Sequence, residues 1–136
     1  MASPSTPLSV GDTAPGFTLK NQHGESVSLA DFAGAKNVVL VFYPFAFSGI
    51  CTGELTEIRD TLEDFQGEDL QVLAISCDPM YSLRAYADAN GYFFPLLADF
   101  WPHGSVAASY GVLNDLTGGA LRGTFLVDRG GVIRPE

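Results

Sequence analysis

Two apolar runs constrain this chain more than any other feature. Val38-Val39-Leu40-Val41-Phe42-Tyr43 and Leu70-Gln71-Val72-Leu73-Ala74-Ile75-Ser76 are near-continuous stretches of β-branched, aliphatic and aromatic residues. That is the pattern of strands buried on both faces. Between them Leu55, Ile58, Leu62 and Phe65 recur at helical spacing, with Glu54, Glu57, Asp60 and Glu63 on other faces and Gly67 as the stop. The order strand, amphipathic helix, strand reads as a β-α-β unit.

The flanks extend this unit. Phe17 to Lys20 and Ser26 to Leu29 surround the polar turn Asn21-Gln22-His23-Gly24-Glu25, which predicts an N-terminal hairpin. Ser82 to Asn90 predicts a short helix closed at Asn90-Gly91, and Ser105 to Tyr110 a further turn of helix stopped by Gly111. Thr124 to Val127 and Val132 to Arg134 flank Asp128-Arg129-Gly130-Gly131, a hairpin signal. Together these describe an α/β fold, a thioredoxin-like three-layer sandwich with a central mixed sheet and an N-terminal hairpin. A polar lead-in over residues 1–9 and one domain over residues 10–136 account for the 136 residues.

Charge narrows the function. Seven Lys and Arg stand against 16 Asp and Glu, a formal net charge of -9. Such a surface repels phosphate backbones and anionic lipid, which argues against nucleic-acid binding and against membrane docking. The uncharged stretch from Asn37 to Gly53 is broken by Pro44, Ser48 and Gly49, so it is not a membrane span. The N-terminus carries no basic region followed by an apolar block, and two cysteines are too few for a disulfide scaffold. A reducing, cytoplasmic setting is the expectation.

Cys51 falls just after a strand and loop, at the first turn of the amphipathic helix. Free backbone N–H groups and the positive end of the helix dipole favour a thiolate there. A thiol of pKa ~8.5 is only about 3% ionised at pH 7, and lowering it to ~6 raises that to about 90%. The shift needs roughly 3.4 kcal/mol, more than the ~2 kcal/mol of a helix terminus, so a cation is required as well. Of the seven basic residues, Arg122 is the best placed, in an otherwise uncharged stretch from Leu116 to Val127. Its fork can hold a thiolate and an oxygen together; the competing reading is a surface arginine near a turn. Ser48 sits three residues before Cys51, either as a helix cap or as a donor to the thiolate or a bound oxygen. Serine in the first place of the Cys-x-x-Cys spacing excludes a local dithiol. Cys77 follows the second strand, either as a buried inert thiol or as a resolving partner. Cys51, Cys77, His23 and His103 have no metal-site spacing, so no metal is expected. Phe100 and Trp101 are read as core or as interface residues.

Pro44-Phe45-Ala46-Phe47-Ser48-Gly49-Ile50-Cys51 resembles the peroxiredoxin active-site signature, Pro-x-x-x-Thr/Ser-x-x-Cys. Gly11 to Leu19 is similar to that family's opening segment, and Arg122-Gly123-Thr124-Phe125 to its arginine-bearing one. Gly49-Ile50-Cys51 and Asp99-Phe100-Trp101-Pro102-His103-Gly104 are similar to the bacterial one-cysteine alkyl hydroperoxide reductase E type. The resemblance implies a cofactor-free, thiol-dependent peroxidase acting on hydrogen peroxide and on alkyl or lipid hydroperoxides. Cys51 would be the peroxidatic nucleophile, passing through a sulfenic acid. Arg122 would stabilise the thiolate and the leaving oxygen. Ser48 would hydrogen-bond the peroxide, and Pro44 would shield the thiolate from water. Glu54 matches the position that orients the arginine, with a favourable first-turn carboxylate as the alternative.

If Cys77 does not resolve the sulfenate, the reductant is external, either a low-molecular-weight thiol or a glutaredoxin- or thioredoxin-like protein. The resemblance also implies a homodimer, and further residues with a C-terminal helix beyond the closing hairpin, which a chain ending at Glu136 leaves out. Two other functions compete: a peroxide-sensing or binding module on the same fold, and a thiol-disulfide oxidoreductase.

Overall fold

The structure, a computed structural model, describes residues 8–46, 53, 55–58, 60, 70–92, 94–114 and 116–134. The strands are β1 (Thr18–Lys20), β2 (Ser26–Ser28), β3 (Asn37–Phe42), β4 (Leu70–Ser76), β5 (Leu96–Ala98), β6 (Gly123–Val127) and β7 (Ile133–Arg134). They form one mixed sheet in the order β2-β1-β5-β4-β3-β6-β7. β3, β4 and β5 run parallel, with Leu40 beside Leu73 and Ile75 beside Leu97. The two hairpins add antiparallel edges, β1 against β5 and β6 against β3. A short 3-10 helix (Leu29–Phe32) and the helices α1 (Met80–Asn90) and α2 (Ser105–Ser109) complete the named elements, and residues 55–58 are also helical.

The apolar runs are continuous because both faces of the central strands are covered. Val38, Leu40 and Phe42 of β3 join Leu73 and Ile75 of β4 on one face, with Ala107 of α2, Tyr110 and Phe125. Val41 and Tyr43 join Val72 and Ala74 on the other, against Leu55 and against Leu83 and Tyr86 of α1. The side-chain period of two sends alternate residues to the two layers, so the sandwich has three layers, as its sequence predicts. Each fully buried leucine contributes about 1.5–3 kcal/mol to this core. Aromatic rings fill the wider gaps. Tyr110 lies 5.3 Å from Phe42 and 5.4 Å from Phe125 between ring centroids, and its buried hydroxyl donates to the Pro15 carbonyl at 2.7 Å.

Three local details differ from expectation. α1 begins at Met80, two residues before Ser82, directly after Pro79, which is the N-cap in an extended conformation (φ -71°, ψ 156°). It ends where expected, with Gly91 at φ +67°. Gln22, read as part of a polar turn, is buried. Its amide donates to the Phe94 carbonyl at 3.2 Å and its carbonyl accepts from the Leu96 N–H at 2.9 Å, which docks the N-terminal hairpin onto β5. Trp101 and Phe100 are exposed, 81% and 48% respectively, so they are not core residues.

Candidate active site

The parallel pairing of β3 and β4 brings their carboxyl ends to one edge of the sheet, the usual site of chemistry in such folds. Phe42 is paired with Ile75 and, on its other side, with Gly123. The residues that follow or precede these positions therefore meet at that edge: Pro44 after β3, Cys77 and Asp78 after β4, and Arg122 before β6. Asp99 follows β5 there too, and its N–H donates to the Ser76 carbonyl at 2.8 Å.

Pro44 is half-buried and opens a loop held from two sides. The Ala46 N–H donates to Asp78 Oδ2 at 2.7 Å, and the same oxygen accepts from the Ser76 hydroxyl at 2.8 Å. The Phe45 ring lies over Gly119, so close that a β-carbon on Gly119 would come within 2.7 Å of it. Gly119 belongs to a tight turn in which the Asn114 N–H donates to the Gly119 carbonyl at 2.8 Å. Arg122 follows this turn and is exposed, and the neighbouring Leu121 N–H is anchored on the Val112 carbonyl at 2.6 Å.

Asp99 is almost fully buried. Its two carboxylate oxygens accept from the Val106 N–H (3.2 Å) and the Ala107 N–H (2.8 Å) at the start of α2. Burial raises its pKa, while those amides, His103 and the Ser105 hydroxyl oppose the rise. Cys77 is buried beside it. Loss of solvent, then the Asp99 and Asp78 carboxylates, push its thiol up to about 12, with the Ala120 backbone N–H acting the other way. This is the opposite of the electropositive, exposed setting that makes a thiol reactive.

Of the residues singled out from sequence, Pro44, Cys77 and Arg122 therefore share one edge. Cys51, Ser48 and Glu54 lie outside the described residues. Their chain neighbours are described: Ala46 on one side, and helical Gly53 and Leu55 on the other, with Leu55 fully buried against the face that carries Tyr43. The hydroxyls of Thr56 and Tyr92 hydrogen-bond at 3.0 Å and tie this helical segment to the segment after α1.

Comparison with known proteins follows the same lines. The AhpC/TSA family model matches residues 10–135. Alkyl hydroperoxide reductase E of Mycobacterium tuberculosis is 54% identical over 127 residues, covering 93% of this chain and 83% of that protein. The chain belongs to the AhpC/TSA family of peroxiredoxins. Solved structures agree: peroxidoxin BcpB of Mycobacterium tuberculosis superposes with a TM-score of 0.84 at 32% identity, over 93% of this chain and 82% of that one. AhpC of Enterococcus faecalis gives 0.83 at 30% identity, over 93% and 78%.

Within this peroxiredoxin, sequence reasoning passed over Asp78 and saw Asp99 only as part of a motif. The usable signal was the polar trio at the end of an apolar strand, Ser76-Cys77-Asp78, since polar groups there are buried and must find partners. Among the described residues no cluster of three His, Cys, Asp or Glu side chains could hold a metal ion, and no helix is long and apolar enough to cross a membrane.

Proposed function

We propose that this thiol-dependent peroxidase works through Cys51 on hydrogen peroxide and on alkyl or lipid hydroperoxides. The observation that carries the reading is the shared sheet edge, where the Pro44 loop leading to Cys51 and the Arg122 segment flank the end of β3. Thiolate sulfur attacks the terminal peroxide oxygen, forming an S–O bond as the O–O bond breaks. The leaving oxygen departs as alkoxide, is stabilised by Arg122, and takes the peroxide proton to become alcohol or water. Ser48 hydrogen-bonds the peroxide, Pro44 excludes water from the thiolate, and Glu54 orients the arginine.

Cys51 is left as a sulfenate, which takes a proton from solvent to become sulfenic acid. Cys77, buried and with its thiol pushed up to about 12, is a poor resolving nucleophile. An external thiol therefore attacks the sulfenic sulfur and releases water, and a second thiol frees Cys51 from the mixed disulfide. That reductant is a low-molecular-weight thiol or a glutaredoxin- or thioredoxin-like protein. The setting is the cytoplasm, and exposed Phe100 and Trp101 suit a homodimer contact. Relatives named as reductases and peroxiredoxins do not favour the sensing-module or thiol-disulfide readings.

The test is steady-state consumption of cumene hydroperoxide with a small dithiol as reductant. The wild-type protein turns over and Cys51→Ser falls to the rate of the dithiol alone. Equal rates for the two proteins would remove Cys51 from the mechanism.

A further inference from the structure

We propose that Asp78 is a positioning residue for the peroxide reaction, acting through the loop that leads to Cys51; the proposal rests on Cys51 being the nucleophile. The loop leaves the sheet at Tyr43, whose N–H donates to the Ile75 carbonyl at 3.1 Å. Pro44 has no N–H to offer, so the backbone needs an anchor soon after it. The anchor is Asp78 Oδ2, 2.7 Å from the Ala46 nitrogen and 32 residues away in the chain.

Asp78 precedes Pro79, the N-cap of α1, which has no side-chain acceptor to offer the helix. The Asp78 carboxylate reaches across to the other strand's loop. It is held for that purpose. The Ser76 hydroxyl, wholly buried at the end of β4, donates to the same oxygen at 2.8 Å. A hydrogen bond to an ionised acceptor is short and about twice as strong as a neutral one. With the Phe45 ring seated on Gly119, the loop is fixed from the β4 side by charge-assisted hydrogen bonds and from the Asn114–Gly119 turn by packing. Misplacement of a reacting group by about 1 Å costs on the order of a hundredfold in rate, so a released loop slows the attack without touching peroxide.

The experiment measures the single-turnover rate of sulfenic acid formation at Cys51 in the full chain. Wild type is compared with Asp78→Ala, Asp78→Asn, Ser76→Ala and Cys51→Ser, and exchange of the Ala46 amide is followed by NMR. Asparagine keeps an acceptor and loses the charge. The expected result is a loss of at least about tenfold in Asp78→Ala. Asp78→Asn stays within about threefold of wild type with its Ala46 amide protected, and Ser76→Ala falls between. A wild-type rate in Asp78→Ala overturns the proposal, and so does an Asp78→Asn variant as slow as Asp78→Ala. Should Asp78→Ala fail to fold, Asp78→Asn decides: a protected amide with near-wild-type rate supports the proposal, and a freely exchanging amide at wild-type rate overturns it. A wild-type protein that consumes no more peroxide than Cys51→Ser would instead overturn the assignment of Cys51 as nucleophile, whatever the amide exchange shows.

Discussion

At the carboxyl ends of the parallel strands, Asp78 and Asp99 accept hydrogen bonds from other elements: from Ala46 in the loop after β3, and from Val106 and Ala107 in α2. At the opposite end of the sheet, the Asp128 partners among the described residues are all in its own hairpin: the Gly130 and Val132 N–H groups and Arg134 Nε at 2.6 Å. Asp99 is buried and Asp78 half-buried, and their partners lie on other elements, 7 and 8 residues away for Asp99 and 32 for Asp78. The third lies at the surface and closes a turn. A carboxylate that joins distant segments organises a site, whereas one that joins its own neighbours shapes a loop. Cys77 belongs to the first environment, and the same two carboxylates that build the edge help to keep it protonated.

The comparison breaks most visibly at Asp99. Asp99→Ala leaves two buried N–H donors at the start of α2 without their acceptor, at about 1–3 kcal/mol each, and denaturant unfolding should show a loss of about 2–4 kcal/mol. Asp99→Asn keeps one acceptor and loses less. Equal, negligible losses would mean that α2 does not depend on this carboxylate.

Alkaline pH sharpens the comparison next. The folded Cys77 pKa lies above its ordinary value of 9.0, at about 12. The folded state therefore holds a proton that the unfolded chain releases. The stability this provides is complete below pH 9 and is lost as pH rises toward the folded pKa, by up to about 1.4 kcal/mol per pH unit. Tyr110, also raised by burial, adds a loss of the same sign above its ordinary pKa of 10.0. Between pH 9 and 10, wild type should lose stability where Cys77→Ala does not. Parallel slopes for the two proteins would show that Cys77 ionises freely.

The smallest effect belongs to Asp128. Arg134 first, then the Val132 N–H, hold its pKa below the ordinary carboxylate range. The stability it adds is present above that range and disappears as pH falls through the folded value. Asp128→Ala should lower the melting temperature slightly at neutral pH, match wild type in acid, and leave the peroxide rate unchanged. An altered peroxide rate would erase the distinction between the two ends of the sheet.

What the sequence made legible follows from the same contrast. Val38 to Tyr43 and Leu70 to Ser76 could be read as strands because burial on both faces leaves a continuous apolar run. Asp128-Arg129-Gly130-Gly131 could be read as a turn because its hydrogen bonds are local. Gln22, Asp78 and Asp99 could not be read in this way, since their partners, Phe94 and Leu96, Ala46, and Val106 with Ala107, are chosen by the assembled sheet. Phe100 and Trp101 show the converse: apolar character alone does not say whether a side chain is covered. Pro44 was singled out by the spacing of a signature and Arg122 by its uncharged surroundings and a second family segment, and the sheet brings both to one edge. The backbone just after Pro44 is anchored at Ala46 by Asp78, a residue outside that signature.

The central claim is tested most directly by mixing reduced protein with one equivalent of an organic hydroperoxide and reading the product's intact mass as peroxide disappears. Rapid loss with one added oxygen, mapped to the peptide containing Cys51 and absent in Cys51→Ser, is the predicted result. A product two hydrogens lighter, with Cys51 joined to Cys77, would contradict the account of Cys77 as a buried, protonated thiol. Peroxide loss no faster than that of a free thiol would contradict the account of the site itself.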